Sequence, residues 1–496
     1  MEKKALLVTM TRPSLRGLFL DNGLALLASI LKSNHYPVKI LDLCVTDSIP
    51  HISNWINYSY ERIKSEIEEF DPIVIGWKTW INECAEQIEV QKKISKEYPE
   101  ILMVNGGPHI SLFSEFFEDY LDRKNGGFTD VLFRHTGEQL PDMLNLERQE
   151  WHNIQGITYK FGKIMRTLRS ENKNLDNLPI GSYDEETYPA VNENQKIKFL
   201  YRNANVGCSH AKCNFCSHPF ISGNYSEHSL DYLINESKYF INNGFFLQRF
   251  GNSTTPPKLA NKFSEAHIRN KLGNIIFAFQ GNINFGKEYD FPLIKKSGTN
   301  AIFYGAESAD QKELDLWDKR TSSKEIEETV KRTADAGIMP VLSFIYTGDN
   351  NAAKKTMDLI LKLKPAGITW FPLLPMPHTD VIKNPEKYNV ELQQDYLRKL
   401  FKSTLNLTKK FTQWEELPYS VNGKSHLTLL NEINVISEIL EKENIPTRVS
   451  DESLLIANIL EEPIDKIKRL ECSQNYEELK AFVSEINNKI KEIRKI

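Results

Sequence analysis

The sequence predicts an α/β protein made of two parallel-sheet units and a helical C-terminal region. Three observations carry this. Short apolar runs of strand length alternate with stretches of helical spacing up to about residue 145. The alternation resumes near residue 197 and continues for six more units. From about residue 383 the spacing is helical throughout. The first series fits a Rossmann-like doubly wound sheet and the second a partial (β/α)6 TIM-like barrel. The expected division is 1–145, a connector 146–195, the barrel 196–382 and a helical cap 383–496.

In the first unit the strand candidates are Ala5–Met10, Val38–Leu43, Pro72–Gly76, Ile101–Asn105 and Val131–Arg134. Helical patterns lie between them near 23–33, 55–69, 83–98 and 115–121. Sheets of this kind bind ligands at the carboxyl ends of their strands. Two strand ends look built for close backbone approach, Gly106-Gly107-Pro108-His109 and Gly137-Glu138. A Gly-Gly-Pro sequence also makes an ordinary turn. The connector holds a hairpin pattern over 156–163 and the stretch Leu178-Pro179-Ile180-Gly181-Ser182-Tyr183. The second series places strands at Lys198–Val206, Phe246–Phe250, Ile275–Phe279, Ala301–Tyr304, Met339–Ile345 and Gly367–Pro372. Its helices fall near 230–243, 258–271, 322–336 and 354–363.

Composition excludes several classes of function. A net charge of −4 with no long Lys/Arg block outside the tail argues against a nucleic-acid partner. No stretch approaches eighteen uninterrupted apolar residues, so no membrane span is expected. The six apolar-rich residues from Ala5 are too short for a signal-peptide core. Six cysteines in 496 residues, three of them clustered, fit a reducing cytosol.

The clustered cysteines are Cys208, Cys213 and Cys216, in the loop after the first strand of the second series. Loops in that position carry the chemistry of barrel enzymes. Three neighbouring thiolates can hold an iron–sulfur cluster and leave one iron open. They can also form a Cys₃His zinc site, with His210 or His218 as the fourth ligand. A disulfide is disfavoured by the odd number. Cys44, Cys84 and Cys472 read as isolated thiols.

Taken together, the pieces resemble a cobalamin-dependent radical S-adenosylmethionine (SAM) enzyme over about residues 1–380, with an N-terminal B12-binding domain. Gly106-Gly107-Pro108-His109 and Gly137-Glu138 resemble that family's loops after the fourth and fifth strands. Leu178-Pro179 with Tyr183 resembles the bridge before the barrel. Gly207-Cys208 through Cys216 resembles the cluster loop, including Phe215. Gly305-Ala306-Glu307-Ser308 and Lys319-Arg320-Thr321 resemble the signature after the fourth barrel strand. There are departures. Four residues separate Cys208 from Cys213 where three are usual. Gly251-Asn252 replaces a Phe-x-Asp pattern, and the turns Tyr346–Asp349 and Pro375–Thr379 differ from the family's. The Asp-x-His-x-x-Gly motif that supplies a histidine to cobalt is absent, so no protein histidine is expected on cobalt, from His35 and His109 included.

The resemblance implies three cofactors: a [4Fe–4S] cluster on Cys208, Cys213 and Cys216, SAM on its open iron, and cobalamin in the first unit. The implied reaction methylates an unactivated carbon of a peptide or small natural product, using a 5′-deoxyadenosyl radical and methylcobalamin. A reductant such as flavodoxin or ferredoxin and a monomeric cytoplasmic enzyme go with it. Cyclisation, ring contraction or oxidation without methyl transfer is the enzyme alternative, and a zinc-stapled cobalamin carrier the non-catalytic one. Glu307, Gln280 and Ser253 are the candidate SAM or substrate contacts, with Asn282 and Thr254 beside them. Ser253 and Thr254 also fit turn residues bonding their own backbone, and Lys319 a surface lysine. Trp77 and Trp80 fit either a corrin contact or core packing.

Overall fold

The run Ala5–Thr9 forms strand β1, buried along its whole length. A strand paired on both sides and covered on both faces reads as continuous apolar sequence. In the computed structural model, residues 3–493 are described except 13, 81–83, 170–173, 193–194, 404–413, 472 and 474. Cys472, Arg494, Lys495 and the side chain of Asn252 thus lie outside the described residues.

The chain continues through β2 (Phe19–Leu20), β3 (Val38–Asp42), β4 (Val74–Lys78), β5 (Leu102–Gly106) and β6 (Val131–Phe133). A hairpin of β7 (Ile157–Phe161) and β8 (Lys163–Arg166) follows. The first sheet has seven strands in the order β3-β1-β4-β5-β6-β7-β8. It is parallel through β6 and antiparallel in the hairpin. The hairpin expected in the connector is therefore an extension of this sheet. Strand order reverses at β1, so the carboxyl ends of β1 and β4 border a crevice of the kind that receives ligands in open α/β sheets.

The second sheet is built from β9 (Ile197–Arg202), then, after a small ladder of β10 (Asn205–Val206) and β11 (Ser226–Glu227), β12 (Leu247–Thr255) and β13 (Ile276–Gly281). It is completed by β14 (Thr299–Glu307), β15 (Met339–Tyr346) and β16 (Gly367–Pro372). These strands lie side by side in chain order, all parallel. The seventh strand is β2, which leaves the first unit to pair with β9. The loop after β1 thus runs from one sheet into the other.

Side chains alternate between the two faces of this sheet. Phe277, Phe279 and Ile302 share a core with helices such as Pro257–Arg269. Ala278 and Ala301, with Phe199 and Leu247, pack against the C-terminal helices Asp451–Leu460 and Tyr476–Ile493. Arg249 of β12 donates to Asp451 at 2.7 Å, and Asn487 takes the Lys198 N–H and donates to the Lys196 carbonyl, both at 2.9 Å. The C-terminal region is not helical throughout, which corrects the sequence expectation. Strands β17 (Val390–Leu392), β18 (Tyr419–Val421) and β19 (Lys424–Ser425) form a small antiparallel sheet. Such short strands carry too few residues for their alternation to stand out from helical spacing. Among the described residues no helix is long and apolar enough to cross a membrane.

Candidate functional site

The carboxyl ends of both sheets open onto one cavity of about 1350 Å³. Its first wall comes from the ends of β1, β3 and β4 and from the loops at Gly106–Pro108 and Thr136–Glu138. Its second wall comes from Tyr201–Asn203, Cys208, Ala211 and Gly251, with Leu374 and Met376 beyond β16. The β1–β2 loop lines it between the two, through Thr11, Arg12, Ser14, Arg16 and Gly17. Arg12 is held there by an ion pair with Glu86. Sequence reasoning passed over this loop. The available signal was an arginine-bearing loop directly after the strand at which the order reverses.

The expected glycine loops both reach the cavity, for different reasons. Gly107 has φ 104° and ψ 172°, a region essentially closed to other residues. A Cβ there would lie 2.8 Å from the Thr79 carbonyl oxygen and 3.1 Å from the Thr79 nitrogen. Gly107 therefore serves the approach of its own chain to the β4 loop. A Cβ at Gly106 would meet only Phe133, at 3.7 Å. Pro108 opens the helix Pro108–Phe117, and Glu138 is exposed to the cavity, with burial by its surroundings raising its pKa.

His109 is not a cavity residue, which corrects its place among the cofactor contacts. It is 1 % exposed, stacks on Phe401 and donates from Nε2 to the Phe401 carbonyl at 3.0 Å. Burial pushes it down to about 4, so it is neutral. One residue beyond the turn, the helix has already rotated the side chain away from the strand ends. Trp80 lines the cavity with Lys78 over its ring; Trp77 also borders it but is 2 % exposed and packs in the core beneath.

The cysteine loop starts at Gly207, whose φ is 75° and whose Cβ would collide with the backbone at Asn224 and Tyr225. Cys208 lines the cavity and accepts the Ala211 N–H at 3.5 Å. Burial raises the metal-free thiols, Cys213 to about 12 and Cys216 to about 11, so binding a metal there must release protons. Among the described residues no group of three His, Cys, Asp or Glu side chains is placed to hold a single ion. The histidines that a zinc site would need are engaged elsewhere. His218 donates from Nε2 to Ser253 Oγ at 2.6 Å, and its Nδ1 faces Ser222 Oγ at 3.3 Å. His210 donates from Nε2 to the Asp318 carbonyl at 3.0 Å. A cluster binds its cysteines through different irons, so three separated thiols and no histidine fit that donor set.

Ser253 corrects another expectation. It is 2 % exposed and donates to the Gly207 carbonyl at 2.6 Å, so it braces the cysteine loop and does not face the cavity. Gln280 is half-buried at the end of β13, and Asn282 caps the turn that follows; neither lines the cavity. Glu307 stands next to the cysteines, at a bulge where its φ is 65°. A non-glycine residue held in that region marks stored strain. Its carboxylate pairs with Lys319 at 3.1 Å, and both side chains are nearly buried, so Lys319 is not a surface lysine. Of the two unusual turns, 375–379 reaches the cavity through Met376, whereas Tyr346 and Thr347 bond Glu432 and Glu313.

No family model matches the chain. It is 27% identical over 338 residues to an uncharacterized methyltransferase of Pyrococcus horikoshii, covering 65% of this chain and 68% of that protein. It is 24% identical over 381 residues to the anaerobic magnesium-protoporphyrin IX monomethyl ester cyclase of Rubrivivax gelatinosus, covering 72% of this chain and 65% of the cyclase. Among solved structures, the radical SAM methyltransferase TsrM from Kitasatospora setae, with cobalamin and a [4Fe–4S] cluster bound, superposes with a TM-score of 0.64 at 13% identity. That match covers 99% of this chain and 100% of TsrM. The chain has the fold of the cobalamin-dependent radical SAM enzymes.

Proposed function

We propose that this protein is a cobalamin-dependent radical SAM methyltransferase acting on an unactivated carbon of a peptide or small natural product. The observation that carries the reading is the single cavity shared by Cys208 and the strand ends of the first sheet. Two large cofactors that must act on one substrate need such a common space. Cys208, Cys213 and Cys216 would hold the cluster. Gly106 and the Gly137-Glu138 turn would border the corrinoid, and Glu307 with Lys319 would meet the polar end of SAM. When bound, these groups supply radical generation and methyl donation. The protein's own part is to orient the two sites across the cavity and to hold Glu307 against Lys319. We place the end of the first unit after Arg166, since β7 and β8 belong to its sheet, and read the second sheet as a partial barrel. A reductant such as flavodoxin or ferredoxin and a monomeric cytoplasmic enzyme complete the proposal.

The likeness to a cyclase supports a second reading, in which the same cofactors close a ring without methyl transfer. Product analysis separates the two. With methyl-labelled SAM and a true substrate, methyl transfer yields 5′-deoxyadenosine, S-adenosylhomocysteine and labelled product. Formation of 5′-deoxyadenosine with neither of the others would rule out methyl transfer, and a ring-closed product beside it would establish the cyclase reading.

A further inference from the structure

Four residues separate Cys208 from Cys213, one more than is usual in the family the loop resembles, and the structure shows how this longer loop is fastened. Ala211, exposed at the cavity wall, adopts φ 47° within this stretch. On either side of it the loop is fastened to one turn, Leu316–Lys319, which follows the helix Gln311–Leu316. His210 Nε2 donates to the Asp318 carbonyl at 3.0 Å. Asn214 donates from its side chain to the Leu316 carbonyl at 2.9 Å and from its backbone to the Trp317 carbonyl at 3.0 Å. Phe215 sets its ring edge-on to Trp317, with centroids 5.8 Å apart.

The turn itself is rigid. Trp317 is 0 % exposed, the Lys319 N–H returns to the Leu314 carbonyl at 2.9 Å, and Asn284 donates to the Lys319 carbonyl at 2.6 Å. Asp318 and Arg320 both have positive φ, 49° and 54°, where a local αL conformation is costly for side chains with a Cβ. The same turn presents Lys319 to Glu307. One rigid element therefore touches the loop between the first and second cysteines, the loop between the second and third, and the carboxylate beside them.

We infer that His210 and Asn214 are positioning residues that lock the lengthened cysteine loop onto the Leu316–Lys319 turn, so that the three thiols stand in register for a cluster. The inference rests on the reading of the cysteines as cluster ligands. Neither side chain is a ligand itself; each acts through hydrogen bonds to backbone carbonyls. Partners of this kind typically change metal affinity by about 10–100-fold when removed.

The test uses the full chain, reconstituted anaerobically with iron and sulfide and then challenged with a chelator. His210→Ala and Asn214→Ala should each lose iron on the order of 10-fold faster than the parent or more. Their reduced-cluster electron paramagnetic resonance (EPR) spectra should broaden, and their far-UV circular dichroism should stay unchanged. His210→Gln, which keeps an N–H donor, should retain iron like the parent. His210→Glu, of the same shape with acceptors only, should not. That isosteric pair decides the matter even if His210→Ala fails to fold. Equal iron retention by the Gln and Glu variants overturns the inference. A parent chain that takes up zinc and no iron or sulfide overturns the cluster reading itself, a result visible before any variant is compared.

Discussion

Replacing Gly107 and Gly106 one at a time separates a glycine needed by the chain from one that faces the cavity. Gly107 sits at φ 104° and ψ 172°. Forcing a residue with a Cβ into that region costs about 1–3 kcal/mol. The added atom would also stand 2.8 Å from the Thr79 carbonyl oxygen, so the β4 loop would have to shift as well. Gly107→Ala should therefore destabilise the first unit by at least about 1–3 kcal/mol, read as a lower urea midpoint for its unfolding. Any corrinoid binding should weaken only as far as the folded fraction falls. Gly106→Val meets only Phe133 at its Cβ, so it should melt like the parent while binding cobalamin more weakly, because the side chain projects from a cavity-lining position. The assay is a urea titration followed by limited proteolysis, alongside spectroscopic cobalamin titration. A Gly107→Ala protein with unchanged stability and abolished cobalamin binding would refute this reasoning and make Gly107 the ligand-facing residue.

Removing Cys208, Cys213 and Cys216 together should abolish iron and sulfide binding, whereas replacing Cys44 or Cys84 should leave iron content unchanged on elemental analysis. His109 is held neutral down to about 4 by burial, against an ordinary value of 6.5. The unfolded state therefore binds the extra proton first, and stability should fall as pH drops from about 6.5 towards 4. His109→Gln should flatten that part of the pH–stability profile, measured by thermal melts across the range. Arg249→Leu strands Asp451 as a buried carboxylate and leaves Glu452 only Arg16 and Tyr201, a loss of about 3–5 kcal/mol for a broken buried pair. It should open the helix Asp451–Leu460 to proteolysis before the rest of the chain.

The two βα series were legible because buried parallel strands are short uninterrupted apolar runs, and Gly367–Pro372 was read to its ends. The cysteine loop was legible because its three cysteines are neighbours in sequence. What escaped depends on contacts distant along the chain. The exchange of β2 into the second sheet involves two residues of no distinctive pattern. The hydroxyl of Ser253 could be placed at a strand end, but its turn towards Gly207 depends on where His218 comes to rest. His109 sits beside a cavity-lining proline in sequence, yet one step into a helix carries it to the far side, against Phe401. Whether Lys319 was a surface lysine stayed open because its burial depends on Glu307, which comes from a strand that precedes its turn in the chain.

The most direct test of the central claim is EPR spectroscopy of the anaerobically reconstituted, dithionite-reduced chain before and after adding SAM. The account predicts the signal of a reduced [4Fe–4S] cluster whose g-values shift on SAM addition, because three cysteines leave one iron open. The signal should vanish when Cys208, Cys213 and Cys216 are replaced together. A chain that carries tightly bound zinc, shows no cluster signal and does not respond to SAM would contradict it.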